Sequence, residues 1–207
     1  MSTSTYLDYQ TLYELFDPLA NRPLRLTPEG CSDWLTHQQA VTLLLGQAVP
    51  LAQPVCLRGY MGRQVTDFLW CALTPLICLS QRVVDLLSEP PFTGWSTYPV
   101  ELYDRDHERL TGYHGLAITG RAGKRDRSQS QVVTKPPPVA GGLERQVYRG
   151  LYFQDEAWDR SDLFMVNGFK VVTEAVYQAF KRRKLSNARF TSLTDVELDV
   201  YLDKFAT

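Results

Sequence analysis

Groups able to do chemistry are thinly spread along this chain. The three histidines fall at His37, His107 and His114, and no two of them stand at metal-ligand spacing. Four cysteines, Cys31, Cys56, Cys71 and Cys78, include no C-x-x-C pair. The last three lie in apolar runs, where a thiol packs as a small hydrophobe. A serine nucleophile would need a G-x-S-x-G turn, which is missing. Asp104, Asp106 and Glu108 alternate as cation ligands do, yet Arg105, His107 and Arg109 interleave with them and the turn glycine of a calcium loop is lacking. That segment is expected to be a solvated loop. Gly112, Gly115, Gly120 and Gly123 do not follow the strand-to-helix pattern of a phosphate loop, so they are expected to serve tight turns. No metal and no cofactor is expected. Two readings survive. One is an enzyme with a strand-end pocket at Tyr113, His114 and Arg121, where His114 is an acid or base. The other is Trp158-Asp159-Arg160-Ser161-Asp162, either a capped turn or an aromatic and acidic patch for a partner protein.

Bulk properties narrow the classes. A length of 207 residues suits a single domain with a substantial core. The net charge of −1 argues against a general nucleic-acid binder, because phosphate affinity rests on clustered Lys and Arg. Lys124-Arg125-x-Arg127 and Lys181 to Lys184 are the two basic clusters, and neither carries interleaved aromatics for base stacking. No apolar run reaches the roughly 18 residues of a membrane span, and Met1 to Thr5 does not read as a signal peptide. A cytoplasmic protein with neither membrane nor nucleic-acid partner is expected; the oligomeric state is left open.

The elements that must position these residues centre on 79–121. Ser80 precedes Val83, Val84, Leu86 and Leu87, which crowd one helical face, and Pro90 and Pro91 stop that helix. A strand is expected over Thr97 to Tyr103, then a polar loop over Asp104 to Thr111, then a returning strand from Gly112 to Thr119. Earlier, Tyr6 to Phe16 predicts an opening strand, Pro18 to Gly30 a loop, and Ser32 the cap of a helix over Trp34 to Gln47. Val55-Cys-Leu57 reads as a short strand. Later, Gln146 to Gln154 predicts a strand interrupted at Gly150. Thr173 caps the clearest helix, with Glu174 in its first turn and Lys181 to Lys184 in its last. Thr194 and Glu197 form a capping-box pattern, so a C-terminal helix over Thr194 to Phe205 is expected against the competing strand alternation. The fold class is therefore α+β, mainly antiparallel sheet with packed helices.

An internal echo adds organisation. Asp67-Phe-Leu, Leu79-Ser80, Val83 and Leu87 are matched by Asp162-Leu-Phe, Val172-Thr173, Val176 and Phe180, each set followed by a β-prone tail. It implies two related lobes, 1–134 and 143–207 of a single domain 1–207, joined by the Pro/Gly-rich stretch 135–142.

Three stretches resemble a known bacterial family. They are Leu79-Ser-x-Arg-Val-Val-Asp-x-Leu with Phe92-Thr-Gly-Trp-x-Thr-Tyr-Pro-Val, Gly112-Tyr-His-Gly-Leu-x-x-Thr-Gly-Arg121, and Tyr148-Arg-Gly-Leu-Tyr-Phe with Trp158-Asp-x-Ser-Asp-Leu-Phe. As an ordered set over Leu79 to Leu193 they are similar to immunity proteins of polymorphic toxin systems, family eleven. Members often carry Gly-Arg-Cys-Gly where this chain has Gly120-Arg-Ala-Gly123, which removes any redox or metal role for that cysteine here. The resemblance implies a small non-enzymatic antitoxin of the bacterial cytoplasm, neutralising a cognate toxin by direct protein–protein binding. It hands over no binding site. The contacts nominated from the residues are Trp158, Asp159 and Asp162, offering an aromatic anchor to a basic cleft, with Arg105 and Arg109 pairing with acidic groups.

Overall fold

The computed structural model describes residues 7–47, 53–72, 74–137, 139 and 141–203. A 3-10 turn (Tyr9–Thr11) leads into β1 (Leu12–Phe16), and β2 (Arg25–Thr27) follows within the proline-bounded stretch expected to be loop. Next come α1 (His37–Leu44), β3 (Val55–Met61), β4 (Phe68–Trp70) and β5 (Ile77–Ser80), which runs directly into α2 (Gln81–Ser88). β6 (Trp95–Tyr98), β7 (Val100–Tyr103), β8 (Arg109–Leu110), β9 (Tyr113–Ile118) and β10 (Gly120–Arg121) follow. Beyond them lie β11 (Gln131–Lys135), β12 (Arg145–Arg149), β13 (Leu163–Val166) and β14 (Phe169–Thr173), then α3 (Glu174–Arg182), β15 (Arg189–Ser192) and β16 (Glu197–Asp199). The strands form four sheets, ordered β10-β13-β14-β1-β15, β11-β12-β16, β2-β3-β7-β8 and β4-β5-β9-β6. Every pairing between named strands is antiparallel except β3 with β7 and β10 with β13. The fold is α+β, as expected.

The internal echo marks two units of the same construction. In each, a hairpin runs straight into a helix and a last strand, and a further strand fills the sheet's centre. One unit is β4-β5-α2-β6 with β9 between β5 and β6; the other is β13-β14-α3-β15 with β1 between β14 and β15. The filling strand comes after the first unit and before the second. Asp67 and Asp162 stand at matching positions and bind alike. Asp67 Oδ1 accepts the Ser80 hydroxyl (3.0 Å) at the start of α2, and Asp162 Oδ1 accepts the Thr173 hydroxyl (3.2 Å) at the start of α3. Their other oxygens cross over. Asp67 Oδ2 accepts Ser186 N–H and Oγ–H, both at 2.8 Å, from the loop after α3. Asp162 Oδ2 accepts Thr93 N–H and Oγ1–H, both at 2.9 Å, from the loop after α2. Backbone bonds repeat the exchange, Phe68 N–H to Ser186 O and Leu163 N–H to Thr93 O. Such reciprocity is what a two-fold relation between two units produces.

One apolar cluster joins the units. Leu79, Val83 and Leu87 of the first and Val172, Val176 and Phe180 of the second belong to it, with Leu15 of β1 and Leu116 and Ile118 of β9. Each such fully buried side chain contributes about 1.5–3 kcal/mol. The stretch 135–142 ends β11 and leads toward β12, and these two strands pair along their whole length.

Three local expectations are corrected. Thr97 to Tyr103 is two strands: Pro99 has no N–H to give a ladder, so β6 stays with β9 while β7 turns off to lie beside β3. The helix expected from Ser32 begins at His37, where Thr36 and Gln39 complete a capping box. Ser32 is buried and instead accepts the Cys56 N–H at 2.9 Å, tying the loop to β3. The C-terminal segment is a strand over Glu197–Asp199 and a single helical turn, Val200–Asp203, while 204–207 lie outside the described residues. Glu197 is drawn away from Thr194 by Lys135 and Arg149 on the other two strands of its sheet (2.7 and 2.9 Å).

Candidate partner-binding surface

The parallel pairing of β3 with β7 creates the most chemically distinctive surface among the described residues. The two strands match from Val55↔Val100 to Arg58↔Tyr103, after which β3 continues past the end of β7 through Gly59, Tyr60 and Met61, paired there only with β2. The loop 104–108 folds back onto this extension. A Cβ at Gly59 would sit 2.7 Å from the Arg105 backbone nitrogen, so only glycine lets the loop lie there. The loop is internally tied: the Asp104 carboxylate accepts the N–H groups of Asp106 (2.8 Å) and Glu108 (2.9 Å), and Asp104 N–H reaches Glu108 O. This Asx-type turn fixes Arg105 and His107 at the cost of little further ordering.

Beneath the loop lies a cavity of about 350 Å³ lined by Thr27, Glu29, Arg58, Gly59, Tyr60, Asp104, Arg105 and His107. Arg58 is held against Gly30, whose missing side chain makes room for it: a Cβ there would meet the guanidinium at 2.8 Å. A more open depression of about 550 Å³ continues past Arg105 to Arg22, Met61 and Arg63. Tyr60 and Met61 are exposed beside it, at 53% and 38%. Arg63 pairs with Asp106, and that guanidinium holds the Asp106 carboxyl below its usual range. Among the described residues, Arg22, Arg58 and Arg105 have no carboxylate within ion-pair distance. Unneutralised arginines with exposed Tyr and Met give the composition of a protein-binding hot spot. Arg22, Arg58, Tyr60 and Met61 were not singled out in the sequence, although the run Arg58-Gly-Tyr-Met-Gly-Arg63 carries a legible signal of charge, aromatic and turn residues.

The nominated contacts divide. Arg105 sits at the junction of both depressions, and Arg109 is exposed on the adjoining β8, opposite Tyr103. Trp158, Asp159 and Asp162 lie elsewhere, before β13, and each is engaged by other residues of the chain, Asp159 from an exposed position and the other two half-buried. The Trp158 ring packs on Phe164 (5.0 Å) and Phe153 (6.3 Å), with Arg160 over its other side. Asp159 accepts Arg121 N–H (2.8 Å), Ser161 N–H and the Ser161 hydroxyl; burial pushes its carboxyl up, but these hydrogen bonds outweigh that and leave it lowered. Asp162 is the inter-unit clamp described above.

Tyr113, His114 and Arg121 each bind a different partner. Neighbours on β9, Tyr113 and His114 leave opposite faces. The Tyr113 hydroxyl donates to Thr66 O (2.7 Å) and burial pushes it to about 12, while His114 Nε2 meets Gln81 Oε1 (2.6 Å). Arg121 is spent on the carbonyls of Ile118, Gly120 and Leu45. All four cysteines are free, and burial raises the Cys78 thiol well above its ordinary value. Among the described residues no cluster of three or more His, Cys, Asp or Glu could hold a metal ion, and no helix is long and apolar enough to cross a membrane.

No family model and no curated protein matches this chain. The surface must be read from its own chemistry.

Proposed function

We propose that this chain is a cytoplasmic, non-enzymatic binding protein that neutralises a cognate bacterial toxin by direct contact. The observation that carries the reading is the pre-ordered loop that fixes Arg105 over Gly59, beside Arg58, Tyr60 and Met61. Unpaired arginines on a rigid edge, with aromatic and thioether surface around them, are anchors that lose little entropy on binding. The ordered motifs over Leu79 to Leu193 add the toxin as the class of partner. Arg105 and Arg109 remain in the proposed interface, and Arg22, Arg58, Tyr60 and Met61 join it. The three residues of the turn before β13 act as architecture: they hold the loops that surround them rather than a partner.

The test is capture followed by rescue. A tagged copy is purified from its native lysate and co-purifying proteins are identified by mass spectrometry. The reading expects a stoichiometric partner that kills cells when expressed alone and is harmless when co-expressed with this chain. A partner whose toxicity persists on co-expression refutes it, as does full viability of a deletion strain that retains the neighbouring genes and expresses them.

A further inference from the structure

We infer that the cavity between Arg58 and Arg105 receives one carboxylate side chain, Asp or Glu, of the protein partner. The inference rests on the partner-binding reading and adds the chemistry of the contact. Two arginines, Arg58 from β3 and Arg105 from the loop 104–108, line the same 350 Å³ space, with His107 on its wall. Planar guanidinium forks match a carboxylate, and paired N–H···O bonds to it are shorter and stronger than neutral ones.

The same wall discriminates against more highly charged ligands. Glu29 and Asp104 also line the cavity. The Asp104 carboxylate is occupied by two backbone N–H groups, and Glu29 has no cation within ion-pair distance among the described residues. Arg58 and Arg105 are offset by Glu29 and Asp104, so a single carboxylate adds one negative charge where a phosphate dianion adds two, and the second meets no further arginine or lysine on the wall. The overall charge of −1 opposes a polyphosphate backbone in the same sense. Tyr60, exposed at the rim, supplies apolar surface for the alkyl stem of a glutamate. Thr27, buried at the base, is engaged by the Glu29 N–H through its hydroxyl at 3.3 Å, which holds that edge in place.

Arginine side-chain NMR on the full chain reads this directly. The probes are N-acetyl-glutamate amide, N-acetyl-glutamine amide and inorganic phosphate. The expected result is that the Nε–Hε signals of Arg58 and Arg105 move together and saturate with the glutamate probe, and stay put with the glutamine probe. Arg58→Gln should abolish the response at Arg105, while Arg145→Gln, exposed on β12, should leave it, with thermal melts confirming that both variants fold. No movement, or movement by phosphate at lower concentration than by the glutamate probe, overturns the inference. With a captured toxin, Arg58→Gln should weaken binding by about 30-fold or more, as removing one partner of a desolvated charge pair does. Equal binding by Arg58→Gln and the parent protein overturns the carboxylate contact while neutralisation stands. A chain that binds the glutamate probe yet protects against no toxin supports the contact and sinks neutralisation.

Discussion

Replacing Asp67 by alanine removes one of the two crossed clamps and should cost far more than an ordinary surface change. The carboxylate is buried and accepts the Ser186 N–H, the Ser186 hydroxyl and the Ser80 hydroxyl, with Arg82 at 3.3 Å. The two hydroxyls can turn toward other acceptors or water; the Ser186 N–H cannot. Hydrogen bonds to a charged acceptor contribute roughly 1.5–3 kcal/mol, and an orphaned buried donor costs about 1–3 kcal/mol. Because the groups share one acceptor these do not add fully, and the expected loss is about 3 kcal/mol. For a chain of this size each kcal/mol lowers Tm by about 2–4 °C, so Asp67→Ala should melt about 10 °C below the parent protein. Asp162→Ala, whose partners at Thr93 are exposed, should lose about 2 kcal/mol by the same reasoning. The control is Asp85→Ala, which removes only a surface bond to Gln81 and should stay within about 0.5 kcal/mol. Differential scanning calorimetry at neutral pH compares the three. An Asp67→Ala shift no larger than that of Asp85→Ala would refute the clamp.

Asp159 titrates below its ordinary value in the folded state, so its stabilising contribution is complete above the unfolded pKa of about 3.9 and disappears as pH falls through the lowered folded value. Urea melts of the parent and Asp159→Asn should therefore differ at pH 6 and converge toward pH 2; a constant difference would exclude the assignment. Tyr13 behaves oppositely. Its hydroxyl donates to Glu174 at 2.6 Å, and this bond raises its pKa to about 12, so its contribution is present below about 10 and is lost as pH climbs to about 12. Tyr13→Phe should be less stable than the parent at pH 8, and the gap should narrow at pH 11.5 in denaturant melts. Gly59→Ala should push the loop 104–108 away from β3, costing about 1–3 kcal/mol as overpacking does and shifting the amide signals of Arg105 and His107. Unchanged amide spectra would show that the loop does not rest on Gly59.

What could be read from the residues alone followed the range of the interactions. α3 was legible to its ends because its signals are local: Thr173 before it, Glu174 in the first turn, Lys181 and Arg182 in the last. α2 was legible from Val83 and Leu87 for the same reason. The Ser80 and Thr173 side chains, however, do not cap their own helices but donate to Asp67 and Asp162, a long-range use that the helix-start pattern conceals. The echo revealed the hairpin-helix core of the two units and hid the rest. β9 follows one unit and β1 precedes the other, so no fixed period connects them. Even so, their roles match: His114 of β9 meets Gln81 at the start of α2, as Tyr13 of β1 meets Glu174 at the start of α3. The arginine cavity was only half visible. Arg105 stood out in a charged loop, but Arg58 reaches it through a parallel pairing that no local pattern encodes. The bonds made by Asp159 and Asp162 were equally hidden, since acidic side chains that accept backbone donors look in sequence like free ones.

The crossed aspartates also bear on how such a molecule can change over generations. A substitution at Asp67 is felt first at Ser186, in the opposite unit, and one at Asp162 is felt at Thr93. Compensation must therefore arise across the seam, not within the unit where the change occurred. The two units can drift apart freely on their outer faces, but along this seam they inherit as a pair. The sheet formed by β2, β3, β7 and β8 belongs to neither unit. Its residues make neither of the crossed bonds, so changes along the edge that carries Arg58, Tyr60 and Arg105 leave the paired frame as it is.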